Sequence, residues 1–175
     1  SGGIDLSMGF IMGLAAVVAA HVINWASPGM GLGMAVVFGT LVAVAVAAIP
    51  GLVNGMLVAF LKVPPFIGTL GMYGVARGSA YLFAGGMTIA ISNPWYSSIG
   101  NDRVLGVPVL VILAVVCCIV LHYLLSQTRF GQHTYAMGAS KAAASRAGIN
   151  IKRLTIKIYV LSAVMAGIAG VLYTG

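Results

Sequence analysis

The sequence predicts an all-α fold: a polytopic transmembrane bundle of about five spans, some of them broken or kinked, with one short cytoplasmic helix. Three observations carry that expectation. Of 175 residues, 61% are hydrophobic and 6% are charged, with a mean hydropathy of +1.08. A soluble domain carries about a quarter charged residues, so a globule this poor in charge lacks the groups to cover its surface. The apolar residues also fall in runs close to the roughly 20 needed to cross the hydrocarbon core of a bilayer. Finally, six of the nine cations (Arg129, Lys141, Arg146, Lys152, Arg153 and Lys157) crowd one polar interval that contains no acid. That clustering marks a cytoplasmic loop.

The first span is expected from Leu6 to about Ile23. The second starts near Met30 and runs to Leu61, with Pro50 inside it. Thirty-two residues of straight helix would overshoot the bilayer core. The proline should therefore give either one tilted, kinked span or a span followed by a half-helix. In "LKVPPF" the paired prolines suit a helix start, and a third span follows from Phe66 to Phe83. Residues 84–106 are rich in turn formers and read as an outward-facing ordered loop, with Trp95 and Tyr96 at the membrane interface. A fourth span covers Val107 to Leu125. Residues 126–155 form the cytoplasmic loop, and a fifth span runs from about Ile156 to Thr174. The four small-xxx-small pairs Gly9/Gly13, Gly29/Gly33, Gly51/Gly55 and Gly74/Gly78 favour close helix packing.

Several function classes are excluded or weakened by what the chain carries. The net charge of +7 is concentrated in a topology signal rather than spread over a face with aromatics, so no nucleic-acid partner is expected. Cys117 and Cys118 are adjacent in an apolar run and read as small packing residues. There is no glutamate, no metal-ligand spacing among the three histidines and no GxxxxGK[ST] loop. An enzyme, a metal site and a chain that itself holds ATP are therefore not expected. The sequence opens without a methionine on "SGGIDLSMG", and no basic region precedes the first apolar run. It reads as a piece of a longer membrane protein rather than as one with a signal peptide.

The polar residues inside apolar runs are the candidates for a permeation path. Asp5 either caps the first helix or lines the path. Arg77 either snorkels to the outer interface or faces a water-filled route. Ser7, Asn54 and Thr69 either bond between helices or line the path. In the polar interval, "ASKAAASRA" (Ala139 to Ala147) is a strong short helix former. Gly138 or Ser140 can start it and Gly148 stands at the C-cap position. It is too short and polar to span, and is either a solvated loop helix or a docking handle for another protein.

The residues resemble a known family. "GGIDLSMG", "VPPFIGTLGMYGVARGSAYLFAGG" and the run from "TRFGQHTYAMGASKAAASRAGINIKR" to "GVLYTG" are similar to the permease subunit of bacterial ABC importers for monosaccharides of the ribose, xylose and galactose type. The likeness covers essentially the whole sequence in order. It implies a single, partial permease domain over 1–175 in the bacterial inner membrane. Its coupling helix would involve Gly138, Ala139, Lys141, Ala143, Ala144, Arg146 and Gly148, docking on a separate ATPase subunit that holds ATP and magnesium. It further implies a periplasmic sugar-binding protein, a second permease copy as homodimer partner, and surrounding lipid. The sequence departs from the family at Lys141, near a usual acidic position, and at Ser145, where an arginine is common; flanking spans are also missing. The expected function is ATP-driven uptake of a neutral sugar by alternating access. The competing readings are a permease of the same architecture for branched amino acids or nucleosides, or a non-transporting membrane scaffold.

Overall fold

The computed structural model describes residues 2–91, 103–104 and 106–174. Trp95, Tyr96 and Asp102 lie outside the described residues. The order is α1 (Met8–Met30), α2 (Leu32–Ala59), α3 (Pro65–Phe83), a two-residue ladder of β1 (Arg103–Val104) with β2 (Val107–Pro108), α4 (Val109–Gln127), α5 (Arg129–Ala139), α6 (Lys141–Arg146) and α7 (Ile151–Tyr173). By length and composition α1, α2, α4 and α7 are able to cross a membrane. Helix α3, the third expected span, has the same 19 residues as α4. It is less apolar because it carries Arg77, Thr69, Ser79 and four glycines.

The core is a three-helix unit of α1, α2 and α7, with α3 packed on the outside of α1 and α2. Its centre is built from Ile11, Ala15, Ala19, Ile23, Ala43, Ala47, Ala163 and Ala166, with Ala76 of α3. Alanine dominates because membrane helices gain little from mutual hydrophobicity and much from close approach. Helices α2 and α7 approach each other closely. A Cβ on Gly51 would overlap Ala163 Cβ and stand 2.8 Å from Tyr159 O. A Cβ on Gly55 would stand 2.8 Å from Ile156 Cα, and one on Gly167 would stand 2.8 Å from Ala47 Cβ. Of the four expected glycine pairs only Gly51/Gly55 makes such a seam. A Cβ at Gly9, Gly13, Gly29, Gly33, Gly74 or Gly78 would meet nothing within 4 Å.

Boundaries differ from expectation, and α7 already begins at Ile151, inside the expected cytoplasmic loop 126–155, because Asn150 caps it there. Helix α1 continues past Ile23 to Met30, with Pro28 in its last turn, and stops at Gly31, whose φ of 76° is open to glycine. Helix α2 runs unbroken through the buried Pro50. At about 42 Å it is longer than the hydrocarbon core is thick, so it tilts or projects beyond it. The loop between α4 and α7 holds two helices rather than one, with Gly138 and Ala139 in α5 instead of the short helix. The expected start at the paired prolines is observed, Pro65 being the first residue of α3. Helix α4 buries none of its residues and packs chiefly on α5, which follows it.

Candidate functional site

The polar candidates converge on the short segment that precedes α1. Ser7 is the N-cap residue of α1, but its hydroxyl does not cap the helix. Instead Ser7 Oγ donates to Asp5 Oδ1 at 2.6 Å, and Ser7 N donates to the same oxygen at 2.9 Å. Asp5 is thus not the cap residue; it fastens the cap residue from outside the helix. Asn54 Nδ2 of α2 in turn donates to Ser7 Oγ at 3.0 Å. The result is a directed relay, amide to hydroxyl to carboxylate, in which each donor polarises the next. Thr69 of α3 clasps the backbone of the same segment. Its Oγ1 accepts from Leu6 N at 3.2 Å and lies 3.3 Å from Ile4 O.

Ser7, Asn54 and Thr69 are all 0% exposed. The Asn54–Ser7 bond is therefore buried in protein, while Asp5 at the end of the relay is partly exposed. Two buried polar atoms beside it have no partner among the described residues: Asn54 Oδ1 and Tyr159 Oη. Tyr159 comes from α7 and was not among the sequence candidates. Its ring occupies an apolar run, and only the fold shows that a Cβ on Gly3 would stand 3.0 Å from its hydroxyl. Buried polar groups almost always find partners, so these two atoms stand out among the described residues.

Arg77 does not join this cluster. It is held over the Phe10 ring, 5.7 Å from Cζ to centroid, and Phe10 packs edge-on against Tyr73 at 4.2 Å. At the other end of α1, His21 Nε2 meets Phe83 O at 2.7 Å and Asn24 Nδ2 donates to Ala90 O at 2.9 Å. These bonds tie α1 to the chain leaving α3.

The short helix α6 is defined at both ends by its sequence. Ser140 is extended and its side chain accepts from Ala143 N at 3.2 Å, an N-cap of the usual kind. At the other end Gly148 N donates to Ser145 O and Ile149 N to Ala144 O, with Gly148 at φ 84°. That is a Schellman closure, which needs a left-handed residue and here uses glycine. Asn150 then caps α7 by accepting from Arg153 N at 3.0 Å. Of the proposed docking residues Ala144 is buried, while Gly138, Ala139, Lys141, Ala143, Arg146 and Gly148 are exposed. Lys141 also borders a small cavity of about 30 Å³ shared with Met137, Gly3, Pro65 and Tyr159. Met137 and Lys141 of the loop helices thus share a cavity with Tyr159 of α7.

Residues 1–174 match the family described as branched-chain amino acid transport system / permease component. Among curated proteins, the chain is 36% identical to the galactofuranose transporter permease protein YtfT of Escherichia coli (strain K12), over 98% of this chain and 48% of that one. It is 36% identical to the L-arabinose transport system permease protein AraH of the same strain, over 98% and 50%. It is 34% identical to the ribose import permease protein RbsC of Bacillus subtilis (strain 168), over 99% and 52%. The chain spans about half the length of the curated relatives it matches. No solved structure matches. An all-helical, multi-pass membrane protein that fits the family along nearly its whole length, the chain belongs to the branched-chain amino acid transport system permease components.

Proposed function

We propose that this chain is the core of a permease subunit that carries a neutral monosaccharide inward across the bacterial inner membrane by alternating access. Helix α6 is the coupling helix, docked on a separate ATPase subunit that binds ATP and magnesium. A periplasmic binding protein delivers the sugar, and a second permease copy completes the path. The relatives' names favour a sugar over the amino acids of the family description. So does the chemistry: the core offers hydroxyls and amides, which suit sugar hydroxyls, and no charge pair for a zwitterion. Asp5, Ser7, Asn54, Thr69 and Tyr159 form the inner constriction, and Asn54 Oδ1 with Tyr159 Oη are the groups offered to the sugar as it opens. Arg77, stacked on Phe10, belongs to the packing of α3.

The observation that carries this reading is α6 itself. It is a helix of 6 residues, capped at both ends by its own sequence and presenting small and basic side chains. Such an element gains little from its own chain and suits a partner's cleft. The test places a single cysteine at Ala143 in the full-length protein, with Cys117 and Cys118 replaced. A crosslink to the cleft of the cognate ATPase that changes with nucleotide is expected. Its absence, with both subunits folded and present, would leave α6 a solvated loop and sink the proposal.

A further inference from the structure

We propose that the cavity between α5 and the start of α7 is a binding site for the phosphate headgroup of an anionic phospholipid. The cavity measures about 390 Å³ and is bordered by Arg129 and His133 of α5 and by Arg153 and Lys157 of α7. Each pair is spaced i, i+4, so both members lie on one face of their helix. Three permanent cations and a histidine thus converge from two helices on one space. Arg153 and Lys157, like charges at that spacing, repel within α7, and the sequence holds no Asp or Glu after Asp102 to relieve them. The only other acid, Asp5, is engaged in the relay with Ser7. The cavity is therefore built for an anion that this stretch of chain does not supply.

Its depth selects a lipid. Arg129 opens α5 just after the last residue of α4. Lys157 stands about 9 Å along α7 from the first residue of that helix, toward the membrane. The site therefore lies where two helices able to span emerge from hydrocarbon, at the level of lipid phosphates. Basic pockets between membrane helices on the cytoplasmic side are the usual seat of acidic headgroups. Phe130 also borders the cavity, an apolar neighbour suited to the acyl chains of the lipid. This inference requires that α4 and α7 cross the membrane with the basic interval on the cytoplasmic side, and the cavity shares Gly148 with the proposed docking surface.

The test titrates the full-length chain, in a zwitterionic detergent, with dioctanoyl phosphatidylglycerol, dioctanoyl phosphatidylcholine and inorganic phosphate. Native mass spectrometry reads occupancy. Saturable binding of phosphatidylglycerol is expected, with the other two at least tenfold weaker. Each basic residue near a lipid surface is worth about a fivefold change in affinity, so Arg129→Gln with Lys157→Gln should weaken binding about 30-fold. The charge-keeping pair Arg129→Lys with Lys157→Arg should retain it. If the neutralised pair does not fold, Arg153→Gln alone should show the fivefold loss. Equal binding by phosphatidylcholine, or no loss in the neutralised variants, would overturn the proposal. Inorganic phosphate binding as tightly as the lipid would make this a free-anion site instead. Displacement of the lipid by the ATPase subunit would assign the cavity to that subunit.

Discussion

Adding one methyl group at Gly51 should separate a packed glycine from an open one of the same pattern. The Gly51→Ala Cβ would overlap Ala163 Cβ and lie 2.8 Å from Tyr159 O and 3.2 Å from Val160 Cα. Carbon atoms in contact prefer about 3.5–4.0 Å, and two of the three neighbours are backbone, so no rotamer change relieves them. Helix α7 must move away from α2 by roughly 1 Å. A gap of that size forfeits a quarter to a half of each dispersion contact along the seam. Overpacking of this kind costs about 1–3 kcal/mol, against which alanine regains up to about 1 kcal/mol of helix propensity. A net loss of about 1–2 kcal/mol is expected. Gly74→Ala, in an identical GxxxG pattern but with nothing within 4 Å, should be neutral or stabilising. The assay is reversible unfolding of the purified chain in mixed micelles. Gly51→Ala with Ala163→Gly should recover only part of the loss, because Tyr159 O is still in the way. Equal effects at Gly51 and Gly74, or full recovery in the double variant, would refute the argument.

Other outcomes follow from the site. Ser7→Ala should cost about 1–3 kcal/mol in the same unfolding assay, since it strands the Asn54 amide and removes a donor from a carboxylate; a loss below about 0.5 kcal/mol would mean the relay carries no weight. Gly148→Val should strain the left-handed closure of α6 by about 1–2 kcal/mol. In the full-length importer it should let ATP hydrolysis proceed with reduced sugar uptake while the chain still inserts, and normal uptake would count against α6 as the coupling element. Gly131→Ala should lower thermal stability, because its Cβ would collide with the Leu125 carbonyl. Gly138→Ala, in open space, is the matched control, and equal midpoints for the two variants would contradict the tight turn between α4 and α5.

What was legible in the sequence was what local chemistry decides. Runs of apolar residues marked the spans, Pro65 marked a start, and Gly148 marked the end of α6, with Ser140 one of two possible starts. The bundle class and the membrane setting followed from these. What was not legible depended on neighbours far away in the chain. Four glycine pairs look alike, and only the fold shows that Gly51 and Gly55 face α7. The apolar run of α4 cannot say whether it meets protein or lipid, and it buries none of its residues. Helix α5 escaped notice because "RFGQHTYAMGA" mixes polar, aromatic and glycine residues, although Gly131 and Met137 form its buried side. Ser7, Asn54 and Thr69 were named as candidates from polarity alone. Tyr159 was not, because one hydroxyl in a long apolar helix carries no pattern. Arg77 was placed with them on charge, yet Phe10 supplied a nearer partner.

The clasped segment before α1 also sets an order for biosynthesis. Ser7 waits for Asn54, Leu6 for Thr69, and Gly3 for Tyr159, which the ribosome delivers more than 150 residues later. Until α7 has been inserted, Asp5 and its neighbours have no finished enclosure and must rest in the hydrated lipid interface. Contacts this distant in sequence form slowly, and closing them needs α7 to arrive. A ribosome stalled before α7 would therefore leave Asp5 more open to aqueous reagents, and insertion of α7 would reduce that access to the partial exposure of the packed bundle. The same carboxylate thus reports when the bundle has closed.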